Sequence, residues 1–107
     1  METKHVFFRD IAAELEVPEN GTLSRTLFSD DRLKVVVFGM DKGQELSEHT
    51  ASMPAVLHIL RGEAALRIGG DALDAGPGAW AHMPANMPHS VTALSPLVMA
   101  LLLMKNA

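Results

Sequence analysis

Two segments that each begin with glycine, GQELSEHTASMPAVLHILRG at residues 43–62 and GAWAHMPANMPHSVTA at residues 78–93, carry most of the information in this 107-residue chain. His49 follows Gly43 after five residues, and Pro84 follows Gly78 after five residues. The fifteen residues between the segments, 63–77, leave room for one short hairpin. The sequence has glycines at turn positions and no helices that alternate with the strands. This pattern argues against a parallel α/β fold.

The rest of the chain also divides into short β-favouring stretches separated by turn residues. Residues Ser29 to Arg32 are short and polar and predict a tight turn that joins two strands in a hairpin. The one credible helix is a single turn that follows the N-cap candidate Asp10 and stops before Pro18. The predicted strands cover residues 23–28, 33–40, 55–60, 64–68, 72–73, 79–83, 90–94 and 97–104.

Composition narrows the class of protein. With 48% hydrophobic and 21% charged residues, the chain has the composition of a globular protein, and its length suits one domain over residues 1–107. The net charge of −4 and the scattered Lys and Arg residues argue against nucleic acid as a partner.

No membrane or export segment is predicted. The longest apolar stretch, residues 97–104, is far shorter than the roughly 20 residues of a membrane-spanning helix, and charged residues interrupt the first twenty positions where a secretory signal would be apolar. The absence of cysteine excludes disulfides and thiolate metal sites. We therefore expect a cytoplasmic protein.

The first segment resembles the first motif of the cupin family, which runs Gly, five residues, His, one, His, three, Glu, six, Gly. Gly43, His49 and Gly62 stand at the matching positions. Ala51 replaces the second His of the motif, and Ala55 replaces its Glu. The resemblance implies an all-β fold, the double-stranded β-helix or jelly-roll barrel, and the residues after Asp10 add a short helical turn at its N-terminal end.

The second segment resembles the second cupin motif, which runs Gly, five residues, Pro, one, Gly, two, His, three, Asn. Gly78, Pro84 and His89 match it, while Asn86 stands at the second Gly and Ala93 at the Asn. Asparagine is the non-glycine residue that best tolerates a left-handed backbone, so Asn86 is compatible with a tight turn.

By the resemblance, His49 and His89 are candidate ligands of a divalent transition metal such as Ni, Zn, Mn or Fe. Two imidazoles rarely hold such an ion tightly, so a third ligand is required. His82 shares strand parity with Trp80 and Pro84, and the resemblance favours an inward direction for it. The alternative is that these histidines only form hydrogen bonds. His58 is expected on the opposite face from Ala55.

The two alanines have a second implication. Their small side chains predict a roomier and more apolar barrel interior than in a metal-bearing cupin, suited to a small apolar molecule. The residues expected to line this ligand pocket are Ala51, Met53, Ala55, Trp80 and Met87. Trp80 is alternatively a residue that packs between sheets or between subunits.

Two functions follow from the resemblance, and the sequence leaves both open. The first is a small-molecule-binding cupin with a degenerate metal site and no catalysis. The second is a metal-dependent enzyme, a dioxygenase or isomerase, that uses His49 and His89 with His82 or water. The non-alternating stretch 97–104 predicts a strand covered on both faces, in part by a second subunit, so we expect a homodimer.

Overall fold

The computed structural model describes residues 4–105. The predicted helical turn is present as a 3₁₀ turn at Ile11–Glu14. A carboxylate oxygen of Asp10 accepts a hydrogen bond from the Ala12 backbone N–H at 3.0 Å, which caps the turn. Among the described residues no helix has the length and apolar character that a membrane span requires.

The described residues form nine strands, arranged as two antiparallel sheets. One sheet has five strands in the order β1-β2-β9-β4-β7, and the other has four in the order β3-β8-β5-β6. The all-β fold class predicted from the sequence is confirmed. The strands are β1 (Thr22–Ser29), β2 (Leu33–Met40), β3 (Glu45–His49), β4 (Ala55–Arg61), β5 (Ala64–Ile68), β6 (Asp71–Ala75), β7 (Trp80–Met83), β8 (His89–Ala93) and β9 (Leu97–Met104).

The inner faces of the two sheets enclose the main hydrophobic core. Alternate residues of β9 enter this core, beginning at Leu97, while Val98 points to the outer face of the five-stranded sheet. There Val98 and Val37 pack against Ala12 of the 3₁₀ turn, which covers part of that face. This arrangement explains why β9 has no polar alternation. The fully buried members of the main core include Met40, Ile59, Met83, Val91, Leu97 and Met99.

Two backbone conformations bear on the motif positions. Asn86 has φ +67°, which confirms the expected left-handed turn. Gly62 has φ +83°, and a Cβ atom there would collide with the carbonyl oxygen of Pro96 and lie 3.0 Å from the Cα atom of Leu97. Gly62 is therefore required both by its φ angle and by close backbone packing.

The β1–β2 hairpin is stabilised by Asp30. Its carboxylate accepts hydrogen bonds from the backbone N–H groups of Arg32 and Leu33, both at 2.8 Å, and these bonds lower the pKa of Asp30 below its ordinary value of 3.8. Asp41 behaves in the same way, because the Asn20 and Lys42 N–H groups bond to its carboxylate and lower its pKa. Both aspartates thus stabilise the fold in their ionised form.

We predict that stability falls with acidification because of these two aspartates. A group whose pKa is lowered on folding contributes fully above its unfolded-state pKa, and the contribution is lost as the pH falls through the lower folded-state value. The melting temperature should therefore drop as the pH passes below 3.8, the ordinary value for both groups. In the variant D30N/D41N the melting temperature should depend less on pH. An unchanged dependence of the melting temperature on pH would contradict this role of the two aspartates.

A histidine pair at the barrel mouth

His49 on β3 and His89 on β8 face each other directly across the antiparallel pair of strands. Their ring centroids are 4.2 Å apart, with the ring planes inclined by 58°. His89 is buried, with 7% of its surface exposed, and His49 is exposed. The pair therefore lies at the boundary between the barrel interior and solvent.

A bulge in β3 turns His49 toward its partner. Leu46 pairs with Val91 and His49 pairs with His89, so three steps along β3 are matched by two steps along β8. Regular alternation would place Leu46 and His49 on opposite faces of the sheet. The extra residue instead allows both side chains to line the same cavity.

The two imidazoles are held in the same way. Nδ1 of His49 lies 2.8 Å from the carbonyl oxygen of Ser47, and Nδ1 of His89 lies 2.9 Å from the carbonyl oxygen of Met87. A carbonyl oxygen only accepts hydrogen bonds, so Nδ1 donates in each ring. In the neutral imidazole this leaves the Nε2 lone pair free on both residues. The pair thus offers two acceptors or two metal ligands.

Aliphatic and aromatic side chains surround the pair. A small cavity of about 30 Å³ lies beside both rings, and an open hollow of about 290 Å³ leads to it from solvent. Ser47 is the one lining residue besides the histidines with a polar side chain. The remaining lining residues are Phe38, Leu46, Leu57, Val91, Met99 and Leu101.

The expectation that His82 points inward is wrong. In the β4–β7 pair, Ala55 lies opposite Met83 and both belong to the main core, whereas Val56 lies opposite His82 and His58 opposite Trp80. Since alternate residues share a face, His82 and Trp80 point outward, and both are exposed. His58 is on the outer face, as expected.

The donor set does not fit the four-ligand metal site of the motif. Within residues 4–105 no group of three or more His, Cys, Asp or Glu side chains is placed to hold a metal ion. The barrel contributes only the two histidines, because alanines occupy positions 51 and 55. A metal at this site would need water or a ligand molecule to complete its coordination.

The structure leaves little open space around Ala55. Ala55 is only 2% exposed and packs within the main core between Met83 and Leu103, its neighbours on the adjacent strands. The cavity beside the histidines is small, about 30 Å³. The open space lies at the mouth instead.

The five side chains expected to line the ligand pocket are dispersed. Ala55 is in the core, and Trp80 is on the outer face at a different cleft. Met87 is half-buried against the core, and its carbonyl orients His89. Ala51 and Met53 are half-buried in the segment before β4, where the Ala51 carbonyl accepts a hydrogen bond from the Asn86 N–H at 2.7 Å.

Fold and sequence together identify the family. The cupin domain profile matches residues 36–104, so the chain belongs to the cupin family. No curated protein sequence matches the chain.

Solved structures of similar proteins cover nearly the whole chain. A conserved protein of unknown function from Streptococcus pyogenes is 31% identical, with a TM-score of 0.85, over 98% of this chain and 92% of that one. A cupin 2 conserved barrel domain protein from Leptotrichia buccalis is 30% identical, with a TM-score of 0.81, over 88% of this chain and 46% of that one. The DMSP lyase DddQ from Ruegeria pomeroyi is 25% identical, with a TM-score of 0.71, over 79% and 47% of the respective chains.

Proposed function

We propose that this cupin binds a small, mainly apolar molecule at the barrel mouth and holds its polar end with His49 and His89. The observation that carries the proposal is the orientation of the two rings, whose Nδ1 atoms are bonded to backbone carbonyls and whose Nε2 atoms are left as acceptors. The protein supplies acceptors here, so the ligand must supply hydrogen-bond donors.

The surroundings of the pair support the same class of ligand. The hollow at the mouth is lined by Phe38 and Leu46, which favour an apolar body, and it is large enough for a ring-sized group. No Asp, Glu, Lys or Arg lines the hollow or the small cavity in the described part of the chain. A neutral molecule with a hydroxyl or N–H group at one end therefore fits best.

We expect phenol to bind more tightly than anisole, its methyl ether, which has the same ring but no donor. One net hydrogen bond is worth about 1 kcal/mol, so the affinities should differ by about fivefold. The difference should disappear in H49L and H89L and persist in the control H82L, whose side chain is on the outer face. Calorimetry gives the affinities, and NMR signals of the histidine rings locate the ligand.

Equal affinities of phenol and anisole for the unaltered protein would contradict the proposal. So would a preference for phenol that survives in both H49L and H89L. A change of equal size in H82L would show that the effect does not come from the barrel mouth.

The free Nε2 lone pairs also favour the alternative, a metal-dependent enzyme of the dioxygenase or isomerase type. His49 and His89 would hold a divalent ion such as Ni, Zn, Mn or Fe, with water in the remaining positions, and the ion would supply Lewis-acid or redox chemistry. His82 is not available as a third ligand from the same barrel, since it faces outward. Metal analysis of untagged protein, with titration by these ions, tests the alternative, and stoichiometry near zero would refute it.

The homodimer is likewise a proposal, as is a cytoplasmic location. The outer face of the five-stranded sheet beyond the 3₁₀ turn bears the half-buried Leu102 and His58, neither of which carries a carboxylate, ammonium or guanidinium group. Depletion of such charges is typical of the centre of a subunit interface. Light scattering should give twice the monomer mass at micromolar concentration, and a clean monomer would refute the dimer.

A further inference from the structure

A second cleft opens on the side of the barrel, where the two sheets end. β7 is an edge strand of the five-stranded sheet and β6 an edge strand of the four-stranded sheet. Between them lies a cleft of about 200 Å³ that leads toward the core. Its lining residues are Leu57, Ile59, Leu66, Leu73, Asp74, Ala75, Ala79, Trp80 and Ala81.

Leu73 is the residue that marks this cleft as incompletely covered. It pairs with Leu66, which is in the main core, so both side chains point to the inner face of the sheet. Even so, 45% of Leu73 is exposed, because no opposing strand of the other sheet extends over it. Trp80 at the same cleft is 62% exposed. Two large apolar residues thus face water beside one opening.

The chemistry of the lining selects a ligand class. The aliphatic side chains of Leu57, Ile59 and Leu66 are buried core groups, and the small side chains of Ala79 and Ala81 leave the space open. Asp74 is the only charged residue among the lining residues, which disfavours an anionic ligand. The volume exceeds the roughly 150 Å³ of a dry apolar cavity that accepts benzene.

Leu57 separates this cleft from the histidine pair. It lines the side cleft and also lines the small cavity beside His49 and His89. The two spaces therefore share one buried leucine in their walls. A molecule in the side cleft would contact the aliphatic wall of the histidine cavity without reaching the imidazoles.

We propose that the side cleft is a binding site for a small, uncharged, apolar molecule of the size of a monosubstituted benzene, with Leu73 and Trp80 closing over it. The site does not depend on the histidine pair, so it can be tested independently of the function proposed above. Burial of the exposed parts of Leu73 and Trp80 supplies the driving force.

Tryptophan fluorescence reports on this site directly. The chain has one tryptophan and no tyrosine, so the emission excited at long wavelength comes from Trp80 alone. Titration with toluene should shift the emission to the blue in a saturable way, because the indole loses contact with water. Benzoate, which has a similar ring but carries a negative charge, should bind at least tenfold more weakly.

Two alanine variants locate the ligand. Ala81 lies opposite Leu57 on the inner face, so A81L should fill the cleft and weaken toluene binding at least tenfold. Ala72 is exposed on β6 and pairs with Arg67, outside the cleft lining, so the control A72L should bind as the unaltered protein does. If A81L fails to fold, the comparison of toluene with benzoate still tests the proposal, because it needs no variant.

Four results would overturn the proposal. They are the absence of a saturable shift, equal toluene binding by A81L and A72L, equal binding of benzoate and toluene, and loss of the shift in H89L, which would place the ligand at the histidine pair. A blue shift that grows with protein concentration in the absence of toluene would assign the cleft to a second copy of the chain, and that too would overturn it.

Discussion

Replacement of Gly62 by alanine should lower the free energy of unfolding by about 4 kcal/mol or more. Losses of this size are exceptional for a single substitution, and here the cause is a backbone conflict. Gly62 has φ +83°, in the left-handed region that favours glycine. The added Cβ would meet the Pro96 carbonyl oxygen and the Leu97 Cα, both backbone atoms. No side-chain rotation relieves such a contact, so the start of β9 would have to move.

Gly78 provides the matched control. It is also a motif glycine with a left-handed backbone, at φ +92°, but a Cβ atom there would have no neighbour within 4 Å. G78A should therefore cost only the conformational penalty of about 1 to 2 kcal/mol. Urea denaturation of both variants separates the two contributions, and equal losses would contradict the role assigned to the packing of Gly62 against Pro96.

The double variant A51H/A55E should gain tight binding of a divalent transition metal. It restores the imidazole and the carboxylate at the two motif positions that alanine occupies. Loss of an outer-shell partner alone weakens a metal site by about 10 to 100-fold, so two restored direct ligands should strengthen binding by at least about 100-fold. Calorimetric titration with Zn or Ni measures the gain.

The same variant should be destabilised when metal is removed. Position 55 is 2% exposed and lies between Met83 and Leu103, so an unpaired carboxylate there would lose several kcal/mol of solvation. The melting temperature should consequently fall in chelator and rise when metal is added. The control A51N/A55Q has similar size but lacks the strong ligands. If A51H/A55E bound metal no better than this control, the two positions would not converge on the histidine pair.

Much of the fold was predictable because its signals are local. Asp30 closes the β1–β2 hairpin through bonds to its own neighbours, and Asp10 caps the 3₁₀ turn in the same way. β3 was not predicted, because Glu45, Ser47 and Glu48 are polar and the bulge breaks the alternation that would mark a strand. A polar edge strand leaves little pattern in a sequence.

The direction of His82 shows a different limit. Strand parity groups His82 with Trp80 but does not say which face of the sheet they occupy. Ala79, Ala81 and Met83 form the opposite set: Met83 is in the core, Ala79 packs against it, and Ala81 lines the side cleft. The greater apolar character of that second set was the signal in the sequence that it, and not His82 and Trp80, faces inward. Phe38 and Leu46 line the hollow together because their strands, in different sheets, lie close in the fold. A single sequence does not reveal this proximity.

The irregularity in β3 has a further effect on association. β3 is an edge strand of its sheet, and a regular edge presents a row of unpaired N–H and C=O groups on which another chain can add a strand. The bulge between Leu46 and His49 interrupts that row, and the exposed carboxylate of Glu48 adds charge beside it. The feature that aims His49 into the barrel thereby also disfavours the addition of another chain's strand at this edge of the sheet.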